Sequence, residues 1–116
     1  MPYIGRNLSE NYYKIVGRGG RRTNKTRPEV VLWMNQLADL VREHPDHAEF
    51  YGNGIEVKLW GRFKDERCPD LNNLHKVIAD ALEAGLGVND RHLRFIDKGY
   101  TTGHPFPRLD MEIEPL

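Results

Sequence analysis

The sequence predicts an α+β domain, a small mixed or antiparallel sheet with two main helices packed on one face. Three observations predict it. Residues 30–41 and 71–82 repeat apolar side chains at helical spacing. Residues 55–63 and 108–114 alternate apolar and polar, the period of a half-buried strand. The 116 residues contain no repeat, low-complexity segment or linker, so residues 1–116 are expected to form one domain with a modest core.

Taken in order, Pro2–Ile4 and Tyr12–Val16 are short strand candidates. Gly17 to Lys25 holds three glycines and four cations in nine residues, which predicts a flexible, positive loop. Thr26-Arg27-Pro28-Glu29 fits a capping box, with Thr26 as N-cap and Glu29 reaching back. The helix that follows, to about Glu43, places Val30, Trp33, Met34, Leu37, Leu40 and Val41 on one face, read as core. His44-Pro45 ends it, and a polar connector runs to Gly54. His44 and His47 have an HxxH spacing without a third ligand and are read as surface residues.

From residue 55, Ile55, Val57, Leu59 and Phe63 point one way, and Glu56, Lys58, Trp60 and Arg62 the other. Trp60 on the polar face suggests some cover there, such as a partner subunit. A second helix starts at Asp70, its predicted N-cap. Leu71, Leu74, Val77, Ile78, Ala81 and Leu82 share its inner arc, and Asn72, Asn73, Lys76, Asp80 and Glu83 share the opposite one. Gly85 and Gly87 are its expected breakers. Residues 92–98 read as a strand with Leu93 and Phe95 on one side, and Thr101–Pro107 as a loop. In the last strand Leu109, Met111 and Ile113 point inward, and Asp110, Glu112 and Glu114 outward.

Net charge is zero but unevenly placed. Residues 1–27 carry seven Lys and Arg against one Glu, and the remainder ten against sixteen. A phosphate backbone meets local charge, so Arg18, Arg21, Arg22 and Lys25 are candidate DNA contacts, with Tyr12 and Tyr13 near enough to pack or stack. A solvated hairpin tip is the other reading of that segment. No stretch approaches the roughly 20 apolar residues of a membrane span, and the N-terminus lacks an apolar signal region, so a cytoplasmic chain is expected. The single cysteine, Cys68, excludes an internal disulfide and a multi-cysteine zinc site, and is read as a small buried thiol.

The densest chemistry lies in Asp70-Leu71-Asn72-Asn73-Leu74-His75-Lys76, followed by Asp80 and then Asn89-Asp90. Two readings fit. In one, Asp70 caps the helix, Lys76 pairs with Asp80 at i,i+4, and the face is solvated. In the other, these residues hold a hard metal ion through carboxylate oxygens, with a lysine beside it to meet phosphate charge. Spacing alone leaves both open.

The run Pro-Asp-Leu-Asn-Asn-Leu-His-Lys, with Asp80-Ala81-Leu82 and Gly-Val-Asn-Asp at 87–90, resembles the signature of RusA-type Holliday junction resolvases. That signature is Asp-Leu-Asp-Asn, a lysine four residues after the second Asp, Asp-Ala-Leu one turn later, and a terminal Asp-Asp pair. The resemblance covers residues 55–116 well and the N-terminal half loosely. It implies a bacterial or phage-encoded homodimeric endonuclease of DNA recombination and repair. It would act on four-way or other branched junctions, with Mg²⁺ as cofactor and Mn²⁺ as a substitute. It implies Asp70, Asn72, Lys76 and Asp90 as catalytic residues, with Asp70, Asn72 and Asp90 on the metal and Asn73 and Asp80 structural beside them. Asn72 stands where the family has its second Asp, and Asn89 where it has the first of the terminal pair. Asparagine offers a carbonyl oxygen without negative charge. The implied site therefore binds Mg²⁺ more weakly, or draws on Asp65 or Glu66. Alternatively, the chain is a catalytically inactive junction-binding relative. His75 and His92 flank the site and are read as ordinary surface residues rather than proton carriers.

Overall fold

A computed structural model describes residues 1–5, 8, 13–18, 21–43, 54–87 and 92–116. Its elements are β1 (Tyr13–Arg18), β2 (Arg21–Thr26), α1 (Pro28–Arg42), β3 (Ile55–Arg62), a 3-10 turn at Leu71–Leu74, α2 (His75–Leu86), β4 (Leu93–Thr101) and β5 (Arg108–Pro115). Tyr12, His44, His47 and most of the connector before Gly54 lie outside the described residues. The arrangement is the predicted α+β one.

β3 is the central strand of a three-stranded mixed sheet. It pairs parallel with β4 and antiparallel with β5. Its alternation is the predicted one: Ile55, Val57 and Leu59 are buried, as is Phe63 just beyond it, whereas Glu56, Lys58, Trp60 and Arg62 are half-buried on the outer face. A parallel pair needs a crossover connection, and the chain makes it through α2. All six residues predicted for the inner arc of that helix are buried. Leu93, Phe95, Met111 and Ile113 extend the core along the flanking strands.

Four expectations change. Pro2–Ile4 is not a strand: Pro2 makes an isolated bridge to Arg108, and the Leu109 N–H donates to the Met1 carbonyl at 2.7 Å. The basic segment, apart from Gly19 and Gly20 outside the described residues, is the hairpin of the second reading rather than a loop, because β1 and β2 pair antiparallel from Tyr13↔Thr26 to Arg18↔Arg21. Thr26 therefore belongs to β2, and the N-cap of α1 is Arg27, without a side-chain cap bond and with Pro28 opening the helix. Finally, the second helix does not begin as one α-helix. Leu71 and Leu74 are both buried, and residues three apart eclipse in a 3-10 turn, so that turn buries both at once.

The buried arc of α1 also turns further than its pattern indicates. Ala38 is 3% exposed, and Leu40, predicted for the core, is 54% exposed. The reason is the approach of α2. A Cβ on Gly85 would overlap the Ala38 Cβ, so the helices meet at two of their smallest residues. Arg42 crosses the same contact, its Nη2 donating to the Gly85 carbonyl at 2.6 Å. Gly85 is thus a packing residue inside α2. Gly87 is the breaker, with φ 72° and its N–H on the Glu83 carbonyl.

Two outcomes are expected. Gly85→Ala gains about 1 kcal/mol of helix propensity but overpacks a contact, which typically costs about 1–3 kcal/mol. The urea midpoint should therefore fall; an unchanged midpoint would mean that the helices are free to part. Asp110, on the outer face, is pushed up by burial. The Arg62 and Arg108 guanidinium groups, each donating at 3.0 Å, outweigh that and hold its carboxyl below the ordinary value. Such a group stabilises the fold above the usual carboxylate range, and that contribution is lost as pH falls through the depressed value. With its side chain 38% exposed, the contribution stays at the surface-pair scale of under about 1 kcal/mol. Asp110→Asn should be less stable near neutral pH and converge with the parent at about pH 2, in urea titrations run at both.

Candidate active site

The chain leaves β3 through Phe63, whose ring is 1% exposed and packs edge-on against Tyr3 at 5.1 Å. From this anchor residues 64–70 turn across the end of the sheet. Asp65 shapes the turn: Oδ1 accepts the Arg67 backbone N–H at 2.9 Å and Oδ2 the Arg67 guanidinium at 3.3 Å. These bonds, the backbone one first, hold its carboxyl below the ordinary value. Glu66 accepts the Tyr100 hydroxyl at 2.8 Å, and that bond together with the Glu66 charge pushes the phenol up. Cys68 is half-buried against the core rather than fully buried. Burial first, then the charges of Glu66 and Asp65, push its thiol up, which disfavours the nucleophilic thiolate.

Asp70 stands at the N-cap of the 3-10 turn in extended conformation, and its carbonyl accepts the Asn73 N–H at 3.0 Å. Its carboxylate makes no cap bond, so the position is the predicted one and the capping bond is not. Buried Leu71 and Leu74 pin the turn from below, leaving Asn72 exposed between them and Asn73 half-buried. Lys76, on the first turn of α2, pairs with Asp80 at 3.7 Å, and Asp80 is the more covered of the two.

A contact not foreseen from sequence holds the start of α2. His75 stacks on Phe95, centroids 4.2 Å apart and planes within 11°, and its Nε2 lies 2.7 Å from the Asp97 carboxylate. Both partners come from β4. The signal was present in the alternation: Leu93, Phe95 and Asp97 occupy one face of a strand, and an acid that follows two inward apolar residues needs a partner there. His75 is therefore a clasp between helix and sheet, whereas His92 is simply exposed.

The structure thus places Asp70, Asn72 and Asn73 on the 3-10 turn and Lys76 on the first turn of α2 directly after it, with Asp80 one turn further along. Asp90 and Asn89 lie outside the described residues; in chain order they follow the far end of α2. Among the described residues no group of three or more acids, histidines or cysteines is fit to hold a metal ion. The donors on the turn, a carboxylate and an amide carbonyl, are oxygens and so suit a hard cation in type. Asp65 and Glu66, the expected stand-ins for a missing acid, are engaged with Arg67 and Tyr100. Of the cations in the hairpin, Arg18 is in register with Arg21 and Lys14 with Lys25. Arg22 falls opposite Gly17. No helix among the described residues is long and apolar enough to cross a membrane.

Comparison with known proteins places this arrangement in a class of DNA-cutting proteins, the endodeoxyribonucleases. The family model for endodeoxyribonuclease RusA matches residues 11–114, and the chain belongs to the RusA family. The match begins before β1, so it takes in the hairpin as well as the acidic turn. Among curated proteins none matches the chain.

Asp97→Ala should release the clasp. The expected loss is about 0.5–1.5 kcal/mol of stability, the net value of one hydrogen bond, with faster amide exchange confined to residues 73–78. Unchanged exchange there would mean that packing of Leu71 and Leu74 holds the turn unaided.

Proposed function

We propose that this chain is a Mg²⁺-dependent endodeoxyribonuclease that resolves four-way DNA junctions by phosphodiester hydrolysis. It would act as a homodimer, in recombination and repair, in the cytoplasm of bacteria or of phage-infected cells. The observation that carries this reading is the family match over residues 11–114, because it spans both a basic hairpin and an exposed acidic turn.

In this reading Asp70 and Asn72 supply oxygen donors from the turn, and Asp90 completes the set. The ion, when bound, polarises the scissile phosphate and lowers the pKa of an attacking water. Lys76 meets phosphate charge, and Asp80 holds it in place at 3.7 Å until the phosphate arrives. Asn73 closes the turn through its backbone N–H on Asp70. Arg18, Arg21, Arg22 and Lys25 follow the DNA backbone. The register sets Arg18 opposite Arg21 and Lys14 opposite Lys25, so both strands of the hairpin carry cations. A junction presents two strands to cut symmetrically, and a two-fold dimer carries two sites.

One observation favours a second reading, a protein that holds junctions without cutting them. Asn72 removes a charge from the turn, and Asp65 and Glu66, which could stand in for the missing acid, are engaged elsewhere.

The test is a labelled four-way junction incubated with the protein in Mg²⁺, Mn²⁺ and EDTA, beside Asp70→Asn, Asp90→Asn and Asn72→Asp. Paired nicks that need the metal, lowered on the order of a hundredfold by either of the first two changes, are the expected result. Asn72→Asp should raise cleavage at low Mg²⁺. Binding with cleavage only in Asn72→Asp would select the second reading. Absence of junction binding in every version would refute both.

A further inference from the structure

Phe106 is 87% exposed, the most exposed large apolar side chain among the described residues. An isolated exposed aromatic on a soft loop would call for no explanation, but this one is on a stiff mount. Pro105 and Pro107 flank it, and each fixes its own φ and narrows the residue before it. The loop is tied down at both ends. The Gly103 N–H donates to the Lys64 carbonyl and the His104 N–H to the Phe63 carbonyl, both at 3.0 Å; the Tyr3 N–H donates to the Pro107 carbonyl at 3.0 Å. His104 Nε2 also lies 2.8 Å from the Thr101 hydroxyl. The first two bonds attach the loop to the same two residues that lead from β3 into the acidic turn. Phe106 therefore projects from the end of the sheet that carries Asp70. Two cations stand on the adjoining segment: Lys64 is exposed, and the Arg67 side chain is 92% exposed.

We infer that Phe106 is a base-stacking residue that engages an unpaired or splayed base at the branch point of a DNA junction, with Lys64 and Arg67 holding the phosphates beside it. The inference rests on the junction reading above and adds a determinant of substrate shape to it. A rigid aromatic face beside cations is how proteins hold unstacked bases without reading sequence. In continuous duplex the base faces are covered, whereas a branch point exposes them. Selectivity for branched over linear DNA then follows from a ring that only one of the two can use. The positive hairpin, by contrast, attracts both alike.

The test compares the full-length protein with Phe106→Ala, Phe106→Leu and Phe106→Trp. It uses a four-way junction and a linear duplex of the same sequence, in EDTA so that nothing is cut, with 2-aminopurine at the branch. The expected result is about a tenfold weaker junction affinity for Phe106→Ala with unchanged duplex affinity. The protein-induced change in 2-aminopurine fluorescence should be lost with it. Phe106→Trp should keep both, and Phe106→Leu should behave like Phe106→Ala, since a leucine is apolar but cannot stack. Equal weakening on both DNAs, full junction affinity of Phe106→Leu, or a change in sedimentation for Phe106→Ala would overturn the inference; the last would make the ring a subunit contact. Unaltered junction binding by Phe106→Ala overturns it while leaving the junction reading intact. A parent protein that binds no junction removes both.

Discussion

The parallel pairing of β3 with β4 is the constraint on which the rest of the structure depends. Antiparallel neighbours can be joined by a tight turn, but parallel ones need a crossover that returns over a face of the sheet. That return is α2 with the 3-10 turn before it, and together they contribute six buried residues to the core. The return also fixes where the acidic turn lies. The segment leaving β3 and the loop leaving β4 open at the same end of the sheet, where open sheets with parallel strands gather their ligands. α1 then closes over α2 at Ala38 and Gly85, and β5 completes the other side of β3 without needing a crossover.

A single extra residue in β4 refines that end. Leu59 pairs with Asp97 but Trp60 with Gly99, so Lys98 is bulged out. A bulge re-phases the alternation of a strand beyond it. Without it Tyr100 would stand opposite Arg62 on the outer face. With it Tyr100 stands opposite Gly61, on the inner side, where its ring lies 6.1 Å from Phe63 and its hydroxyl reaches Glu66. Gly61 contributes by being small, because a Cβ there would overlap the Phe63 ring. Asp97, just before the bulge, keeps the inward phase that lets it meet His75. Tyr100, which shapes the acidic turn through Glu66, thus owes its direction to one unpaired residue, whereas Asp97 keeps the phase set before it.

The sequence makes the core and the fold class legible because burial imposes periods that survive in composition. The alternation of Ile55, Val57 and Leu59 and the spacing of Leu71 to Leu82 each have one structural solution. What it hides is of three physical kinds. Helix-on-helix contact is decided by small residues: Gly85 reads as a breaker when it is a packing residue, and Leu40 yields its place to Ala38. Backbone pairing is indifferent to charge, so the cation-rich segment of residues 17–25 reads as a loop although most of it is hairpin. Non-local bonds leave faint marks, and His75 with Asp97 is separated by 22 positions. The acidic turn itself is legible as a motif, whereas the engagement of Asp65 and Glu66 depends on the folded positions of Arg67 and Tyr100.

That engagement sharpens the meaning of Asn72. Of the acids around the turn, Asp65 holds Arg67, Glu66 holds Tyr100 and Asp80 holds Lys76. Asp70, at the N-cap position, makes no side-chain cap bond. A second aspartate at position 72 would add a negative charge two residues away. It would strengthen the hold on a divalent cation and also repel an approaching phosphate. Asparagine keeps the oxygen and drops the charge, so both effects weaken together. If the turn holds an ion as proposed, metal retention and tolerance of bare DNA would pull in opposite directions there. On the proposed reading, a chain with Asn72 would lie toward the DNA side of that balance: it would admit a phosphate more readily before any ion is present, and would depend more on the phosphate's own oxygens to hold an ion.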